Sequence, residues 1–376
     1  MMEPSYESVN PRKELTEFSL ELLSENLSHG NCLISPLSIV SALGMTANGA
    51  EGNTRAQMEQ MMHTDTAVLN DYLKAYTDYM PNSEACQVNI ANSIWFRDRD
   101  SLAINEDFLK TSRNYYDASI FEAPFDAGTR DDINSWVKKE TNGMIQKLLE
   151  EAPPRDAVMY LVNALSFDGE WRDIYKKNQI HKGTFNAENG EHQSAEFMYS
   201  TEAVYLENTL GRGFLKPYGD GAYAFAAVLP DEGMTMKEFL ERLKENGITD
   251  LLEQTRNKTV CVRLPKFTVE YNVVLNESLT ESGMKDAFDS QKADFSSMAH
   301  SDNDNIYISK VIHKTKIDVD EKGTKAGAVT AVEVSEGSAV QTEEPKEVFL
   351  DRPFFYMIID TRQNFPLFMG CLMQLE

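Results

Sequence analysis

Hydrophobic and polar positions are spaced helically in the first third of the chain and alternate later. Residues 12–27 place four apolar side chains on one helical stripe: Leu15, Phe18, Leu22 and Leu23. Ser35 followed by Pro36 is typical of a helix start, because a serine hydroxyl caps free N–H groups and proline suits the first turn. The pattern therefore predicts helices over most of the N-terminal third.

Strand patterns dominate the remainder. Residues 157–171 are apolar on both faces, as in a strand covered on both sides, with Asn163 in their middle. Residues 88–96, 221–230 and 259–274 and the last 24 residues are also strand-rich. The sequence therefore predicts a mixed α+β protein with helices first and large sheets later.

A long segment near the C-terminus, residues 321–347, has no aromatic residue and no apolar side chain larger than valine. Read at period two, one face is small and uncharged: Thr324, Ala326, Ala328, Thr330, Val332 and Val334. The preceding residues 310–320 alternate too, with five side chains on one face: Val311, His313, Thr315, Ile317 and Val319. A predicted strand thus leads into a long loop that itself has a strand pattern, and so long a loop suggests a function.

The composition and net charge of the chain limit the number of domains and the kinds of molecule that it can bind. The 376 residues are 41% hydrophobic, and this length suggests two or three domains, although no break in composition marks a boundary. The net charge of −24 repels polyanions and disfavours nucleic acid, heparin-like polymers and anionic membranes as partners.

Candidate chemistry is sparse. The four cysteines are far apart and mostly flanked by apolar residues, which favours buried free thiols: Cys32, Cys86, Cys261 and Cys371. His181 and His192 are too loosely spaced for a metal site, and no catalytic motif of the HExxH or GxSxG type is present. We expect no enzyme activity, metal or cofactor. No apolar signal core precedes residue 18.

Several segments, in order, resemble the serpin family over nearly the whole chain. They are residues 31–54, 163–171 ("NALSFDGEW"), 262–271 ("VRLPKFTVEY"), 320–330 ("DEKGTKAGAVT"), 351–360 ("DRPFFYMIID") and 366–372 ("PLFMGCL"). The resemblance implies the serpin fold as a single domain over residues 1–376, with three β-sheets, eight or nine helices and an exposed reactive-centre loop at about residues 321–349.

The resemblance also implies a mechanism. The loop is bait for a serine protease, which forms an acyl-enzyme on it. The cleaved loop then inserts into the main sheet and carries the protease about 50 Å, at about 3.3 Å per residue. The protease's active site is distorted, deacylation stalls, and the covalent complex persists. Insertion needs small, uncharged residues on the inward side of the hinge, and Thr324, Ala326, Ala328 and Thr330 meet that need. Glu321 and Gly323 precede them in the hinge, where the glycine gives the chain freedom to turn.

The cleaved bond is expected sixteen residues after Glu321, between Gly337 and Ser338. Glycine offers nothing to a deep acidic or aromatic pocket, so elastase-like or subtilisin-like proteases fit best. Val334, Ala339 and Val340 are alternative cut points for the same enzymes. The hinge departs from common family members at Lys325 and Gly327, both on the outward face, where we expect little harm.

Other residues match family positions beneath the sheet. Four match the polar "shutter" that holds the sheet closed: Ser35, Ser38, Asn163 and His313. Trp171 matches the "breach", where insertion begins. For His313 a catalytic base is the weaker alternative to a buried shutter residue.

The resemblance implies a secreted monomer that inhibits serine proteases irreversibly, as a suicide substrate. A non-inhibitory serpin with a carrier, chaperone or storage role is an alternative, which the small hinge residues disfavour. A cross-class inhibitor of cysteine proteases is another.

Overall fold

The computed structural model describes residues 10–375 except 28–29, 99–101, 155–156, 158, 254, 302–304 and 325–343. Within these residues nine α-helices are found: α1 Arg12–Glu25, α2 Pro36–Ala47, α3 Gly52–Met62, α4 Thr66–Asp78, α5 Glu106–Tyr116, α6 Ala127–Glu140, α7 Met236–Asn246, α8 Ile248–Glu253 and α9 Asn276–Glu281. Single 3₁₀ turns occur at Lys177–Gln179 and Asp286–Phe288.

The strands of the described chain run in order as β1 Cys32–Ile34, β2 Cys86–Arg97, β3 Leu102–Ile104, β4 Ser119–Ala123, β5 Met159–Glu170, β6 Ile180–Asn186, β7 His192–Glu207, β8 Gly211–Pro217, β9 Tyr223–Pro230, β10 Arg256–Pro265, β11 Phe267–Val274, β12 Ala299–Ser301, β13 Lys310–Val319, β14 Gly323–Thr324, β15 Lys346–Phe349, β16 Phe354–Asp360 and β17 Phe365–Leu372. They form three sheets.

The six-stranded main sheet has the order β11-β13-β14-β5-β2-β4. The second sheet contains nine strands, in the order β1-β17-β16-β9-β8-β7-β10-β15, with β6 on β7, and a third pairs only β12 with β3. The predicted α+β serpin fold with three sheets and eight or nine helices is confirmed.

One large apolar core joins the second sheet, the inner face of the main sheet and the N-terminal helices. Every residue of α2 is buried, and Ser35 caps that helix by accepting from the N–H of Ser38, as the sequence predicts. A smaller core lies on the other face of the main sheet, where Ile133 and Val137 of α6 pack near Val162 and Ile312. The main sheet is therefore covered on both sides at the level of Asn163, which explains the continuous apolar run in β5.

The apolar spacing of residues 129–149 predicts an amphipathic helix with a break near Gly143, but the helix is shorter than this pattern suggests. α6 ends at Glu140, and Gly143 adopts a left-handed φ of 81° in the turns that follow. Ile145, Leu148 and Leu149 still reach the smaller core from these turns. Apolar spacing alone does not separate that arrangement from a continued helix.

Candidate functional site

The main sheet contains a slot between β5 and β13. These strands pair in parallel only at one end, where Lys310–Ile312 meets Tyr160–Val162. Their outer edges are occupied, β5 by β2 and β13 by β11. Within the described chain, residues 163–168 and 313–318 have no ladder partner on the inner side. We call the paired end the closed end and the other the open end.

The open end already contains two residues of the hinge. Thr324 pairs with Gly169 of β5 and Val319 of β13, and Gly323 pairs with Glu170. Thr324 is buried, and its hydroxyl is hydrogen-bonded to that of Tyr218. The first rung of an additional central strand is thus in place.

Gly323 is needed for close packing and not for the turn that we expected from the flexibility of glycine. Its backbone is extended in β14, and it is absent from the glycines with left-handed φ. A Cβ here would collide with the carbonyl oxygen of Gly169. Glycine is therefore required by the approach of two backbones.

Trp171 lies at the open end, as its predicted breach position requires. Its ring is 2% exposed and stacks on Tyr218 with ring centroids 4.4 Å apart. Its indole Nε1 donates to the carbonyl of Asp320 at 2.8 Å, and its backbone N–H donates to that of Lys322 at 2.8 Å. Trp171 therefore links the end of β5 to the turn that follows β13.

Glu321 forms an ion pair at the edge of the open end. Its carboxylate lies 2.8 Å from Nζ of Lys266, which also contacts Glu196 at 3.0 Å. The Lys266 hydrogen bond lowers the pKa of Glu321. These side chains are partly exposed, so the pair adds little stability but fixes where the hinge leaves β13.

The closed end brings together all four predicted shutter residues. The N–H of Ser35 donates to Nε2 of His313 at 3.0 Å, and the hydroxyl of Ser38 donates to Oδ1 of Asn163. Among the described residues His313 is buried without a charged partner, and desolvation lowers its pKa to about 3. Since its free lone pair is engaged by a backbone N–H, a satisfied core histidine fits better than a catalytic base.

Asn92 belongs to the same polar cluster, and the sequence reasoning missed it. It lies opposite Asn163 in the β2–β5 ladder, and its side-chain carbonyl accepts from the amide of Asn163. Its own amide donates to the carbonyl of Tyr116 at 3.0 Å. The available signal was an asparagine in the middle of an apolar strand, the same signal that singled out Asn163.

Three residues near the open end were missed as well: Tyr218, Lys216 and Glu202. Tyr218 bonds the hinge directly. Lys216 and Glu202 form a buried ion pair with Nζ and Oε1 2.9 Å apart. Nothing in the local sequence distinguishes Lys216 or Glu202 from surface charges, because the alternation in β7 and β8 does not show which charged residue faces inward.

Many predicted loop residues lie outside the described residues. These are Ala326, Ala328 and Thr330 of the hinge, the outward residues Lys325 and Gly327, the expected cleavage site Gly337–Ser338, and the alternatives Val334, Ala339 and Val340. The far side of the loop is described again at β15, which pairs in parallel with β10.

Several expected features concern other sites. All four cysteines are free, and three are buried, whereas Cys261 is partly exposed. Among the described residues no cluster of three or more metal-ligating side chains was found. None of the described helices is both long and apolar enough to cross a membrane.

Known proteins resemble this chain over its full extent. Residues 13–375 match the family Serpin, serine protease inhibitor. The leukocyte elastase inhibitor of Homo sapiens is 31% identical, over 94% of this chain and 97% of its own. The thermophilic serpin tengpin in its native state is 43% identical with a TM-score of 0.92, covering 100% of this chain and 96% of its own. Tengpin in its latent state, at 42% identity and full coverage of both chains, superposes with a TM-score of 0.86.

Proposed function

This chain belongs to the serpin family of serine protease inhibitors, and we propose that it traps its target by inserting the cleaved loop into the slot of the main sheet. The observation that carries the proposal is the rung formed by Thr324 between Gly169 and Val319. It sets the register in which the remaining hinge residues would follow.

That register favours burial of the small face of the hinge. Continued into the slot, it gives these neighbours: Ala326 beside Phe167 and Ile317, Ala328 beside Leu165 and Thr315, and Thr330 beside Asn163 and His313. All six neighbours are at least nine-tenths buried. The inward residues of the hinge would therefore enter a buried space in which a charged or large side chain would be unfavourable. Thr330 would reach the polar shutter, where its hydroxyl could form a hydrogen bond.

The free energy for insertion would come from the slot. The inner N–H and C=O groups of residues 163–168 and 313–318 lack ladder partners in the described chain, and an inserted strand would supply them. Each new hydrogen bond contributes about 1 kcal/mol net, and the inward face adds apolar burial. The uncleaved protein is then a kinetically stable form above a lower-energy inserted one.

The chemistry belongs to the protease. Its serine attacks the loop carbonyl and forms an ester, and the amine of the new C-terminal fragment leaves. Insertion would drag the ester-linked enzyme away from the open end before water hydrolyses the ester. This protein supplies the bait, the template and the stored energy, and no catalytic group of its own.

We propose a target with a preference for small residues, of elastase or subtilisin type, cleaving at Gly337–Ser338. The sequence around Gly337 supports this assignment, as does likeness to a relative named leukocyte elastase inhibitor. Extracellular action, a monomeric state and the covalent complex stay predictions.

A panel of purified proteases tests the proposal. We expect an elastase-like or subtilisin-like enzyme to give an adduct that survives SDS, with release of a C-terminal peptide that begins at Ser338 by mass spectrometry. The nicked, protease-free protein should melt well above the intact one. A nicked loop with no adduct for any enzyme would support a non-inhibitory serpin instead, and an adduct with a cysteine protease alone would indicate cross-class inhibition.

A further inference from the structure

A buried ion pair lies directly beneath the open end of the slot. Lys216 of β8 is 2% exposed and Glu202 of β7 is 8% exposed, with Nζ and Oε1 2.9 Å apart. Buried pairs lose so much hydration that their net stabilisation is small, and apolar pairs often replace them without loss. Stability alone therefore gives no reason for a lysine at this position.

Lys216 also contacts both ends of the segment that follows β5, residues 171–175. Its ammonium donates to the carbonyl of Asp173 at 3.3 Å. It lies 4.4 Å from the ring centroid of Tyr175 and 5.4 Å from that of Trp171. Cation–π attraction strengthens when the cation is desolvated, as it is here. One cation thus contacts the beginning, middle and end of the segment.

Glu202 orients this cation. Its carboxylate accepts from the hydroxyl of Ser200 at 2.6 Å, and that hydroxyl lies 3.2 Å from the hydroxyl of Tyr175. The carboxylate, the ammonium and the Tyr175 ring are therefore fixed relative to one another. Burial raises the pKa of Tyr175, so its hydroxyl remains neutral.

The same segment binds the hinge through three donors. The backbone N–H and indole Nε1 of Trp171 donate to the carbonyls of Lys322 and Asp320, each at 2.8 Å. The N–H of Tyr175 donates to the carbonyl of Glu321 at 2.9 Å. Three consecutive carbonyls, from 320 to 322, are held from residues 171–175 immediately before the rung at Thr324.

We propose that Lys216 is a positioning residue for loop insertion, acting through residues 171–175 on the hinge. The inference rests on the proposed inhibitory function. The Lys216 ammonium holds residues 171–175 in the arrangement that presents all three donors to the hinge. The gap between β5 and β13 at the open end therefore stays wide enough for one more strand. Each insertion then starts from a formed rung, and hydrolysis of the acyl-enzyme has less time to compete.

A double variant separates positioning from simple stability. Lys216→Met with Glu202→Leu removes both charges and fills the space with apolar atoms, so no charge is left buried alone. We expect a melting temperature near that of the wild type. The ratio of nicked to trapped protein, which is the stoichiometry of inhibition minus one, should rise about tenfold, the effect of losing one charge-assisted hydrogen bond. The rate of loop acylation should not change, because the contacts of residues 171–175 with the hinge end at Lys322, before the expected cleavage site at Gly337.

Amide hydrogen exchange gives a second measurement that needs no protease. Peptides containing the amides of Trp171 and Tyr175 should exchange about tenfold faster in the double variant, whereas peptides from the closed end, at residues 159–162, should be unaffected. A second double variant, Lys216→Gln with Glu202→Gln, replaces the ion pair by two neutral amides, and the glutamine at position 216 is too short to reach the carbonyl of Asp173. It should show the same increase in exchange as the apolar variant, and it can replace that variant if the apolar one does not fold.

Wild-type stoichiometry in a folded double variant would overturn the proposal, and so would unchanged exchange at Trp171 and Tyr175. The absence of any adduct with the wild type would instead refute the inhibitory function. In that case the exchange measurement still decides whether Lys216 holds the hinge.

Discussion

The two ends of the slot differ in what occupies the space between β5 and β13. At the open end Gly323 and Thr324 of the hinge already pair with both strands. At the closed end β5 and β13 pair with each other over three residues. Insertion at the open end therefore only extends an existing ladder, whereas at the closed end existing rungs must break first.

The polar groups at the two ends differ in the same sense. The open end is held by direct bonds to the hinge from Tyr218, Trp171 and Tyr175. The closed end is held by neutral groups: the side chains of Ser38, Asn163 and Asn92 bond one another, and the N–H of Ser35 bonds the ring of His313. Under the proposed mechanism this difference predicts an order of events, in which strand addition starts near Thr324 and opens the closed end later.

The largest expected effect is a charge placed between the two ends. Ala328→Glu puts a carboxylate beside Leu165 and Thr315, both buried, at a cost of several kcal/mol. We expect inhibition to be almost lost, with the stoichiometry rising about 100-fold or more. Titration of the protease and gel analysis of adduct against nicked chain measure it.

The matched control for that variant is Gly327→Glu. In the same register position 327 would lie on the opposite face, beside the buried Ser166 and the partly exposed Lys316, so a glutamate there could pair with a cation. Inhibition should stay near the wild-type level. Equal damage from both variants would mean that the loop does not follow the register set at the open end.

A protonation test addresses the closed end. The folded-state pKa of His313 is about 3, below the usual 6.5, so the unfolded chain binds a proton that the folded protein excludes between these values. Its contribution to stability is complete above about pH 6.5 and is lost as pH falls, by up to about 1.4 kcal/mol per pH unit. His313→Gln should unfold with a weaker pH dependence between pH 6.5 and 4.

Denaturant melts of the wild type and His313→Gln at several pH values measure this difference. The exposed His192 provides a control, and His192→Gln should retain the wild-type slope. Parallel pH profiles for His313→Gln and the wild type would contradict a neutral, buried imidazole at the closed end.

A smaller effect is expected at the open end. Tyr218→Phe removes the hydroxyl bonded to Thr324, worth about 1 kcal/mol, and should raise the ratio of nicked to trapped protein about fivefold. Tyr223→Phe loses a comparable bond, to the carbonyl of Pro81, away from the hinge. Only the first variant should affect inhibition, and similar values for the two would show that the preformed rung does not matter.

The mixed α+β class could be predicted from the sequence because its signals are local, whereas the serpin fold and the shutter positions came from the family resemblance. A continuous apolar run identified β5, alternation identified β13, and Asn163 stood out as a polar residue in the apolar run. Of the inward hinge residues only Thr324 lies within the described residues, and since both it and Gly323 are buried, the inward face stays a prediction.

The remaining site residues depend on distant packing. Tyr218 and Lys216 follow each other closely in β8 and the residues after it, yet they act on a hinge about 100 positions later in the chain. The close approach that requires Gly323 is likewise set by the β5 backbone. Periodicity shows which face of a strand is buried but not which distant segment covers it, so these contacts required the structure.

The smallest expected effect concerns the outward face near the open end. The register places Lys325 opposite Asp168 of β5 and Asp318 of β13, two partly exposed carboxylates. Opposite charges across a ladder attract weakly and like charges repel, by roughly 0.5 kcal/mol for a solvated pair. Lys325→Glu should therefore slow insertion and raise the ratio of nicked to trapped protein about twofold. Since salt screens such contacts, the difference should shrink at 1 M salt, where the Debye length is about 3 Å.

Lys322→Glu makes the same change in net charge on an exposed side chain before the rung and should have no such effect. If the two variants behaved alike, the charge of the whole molecule and not the register would be responsible.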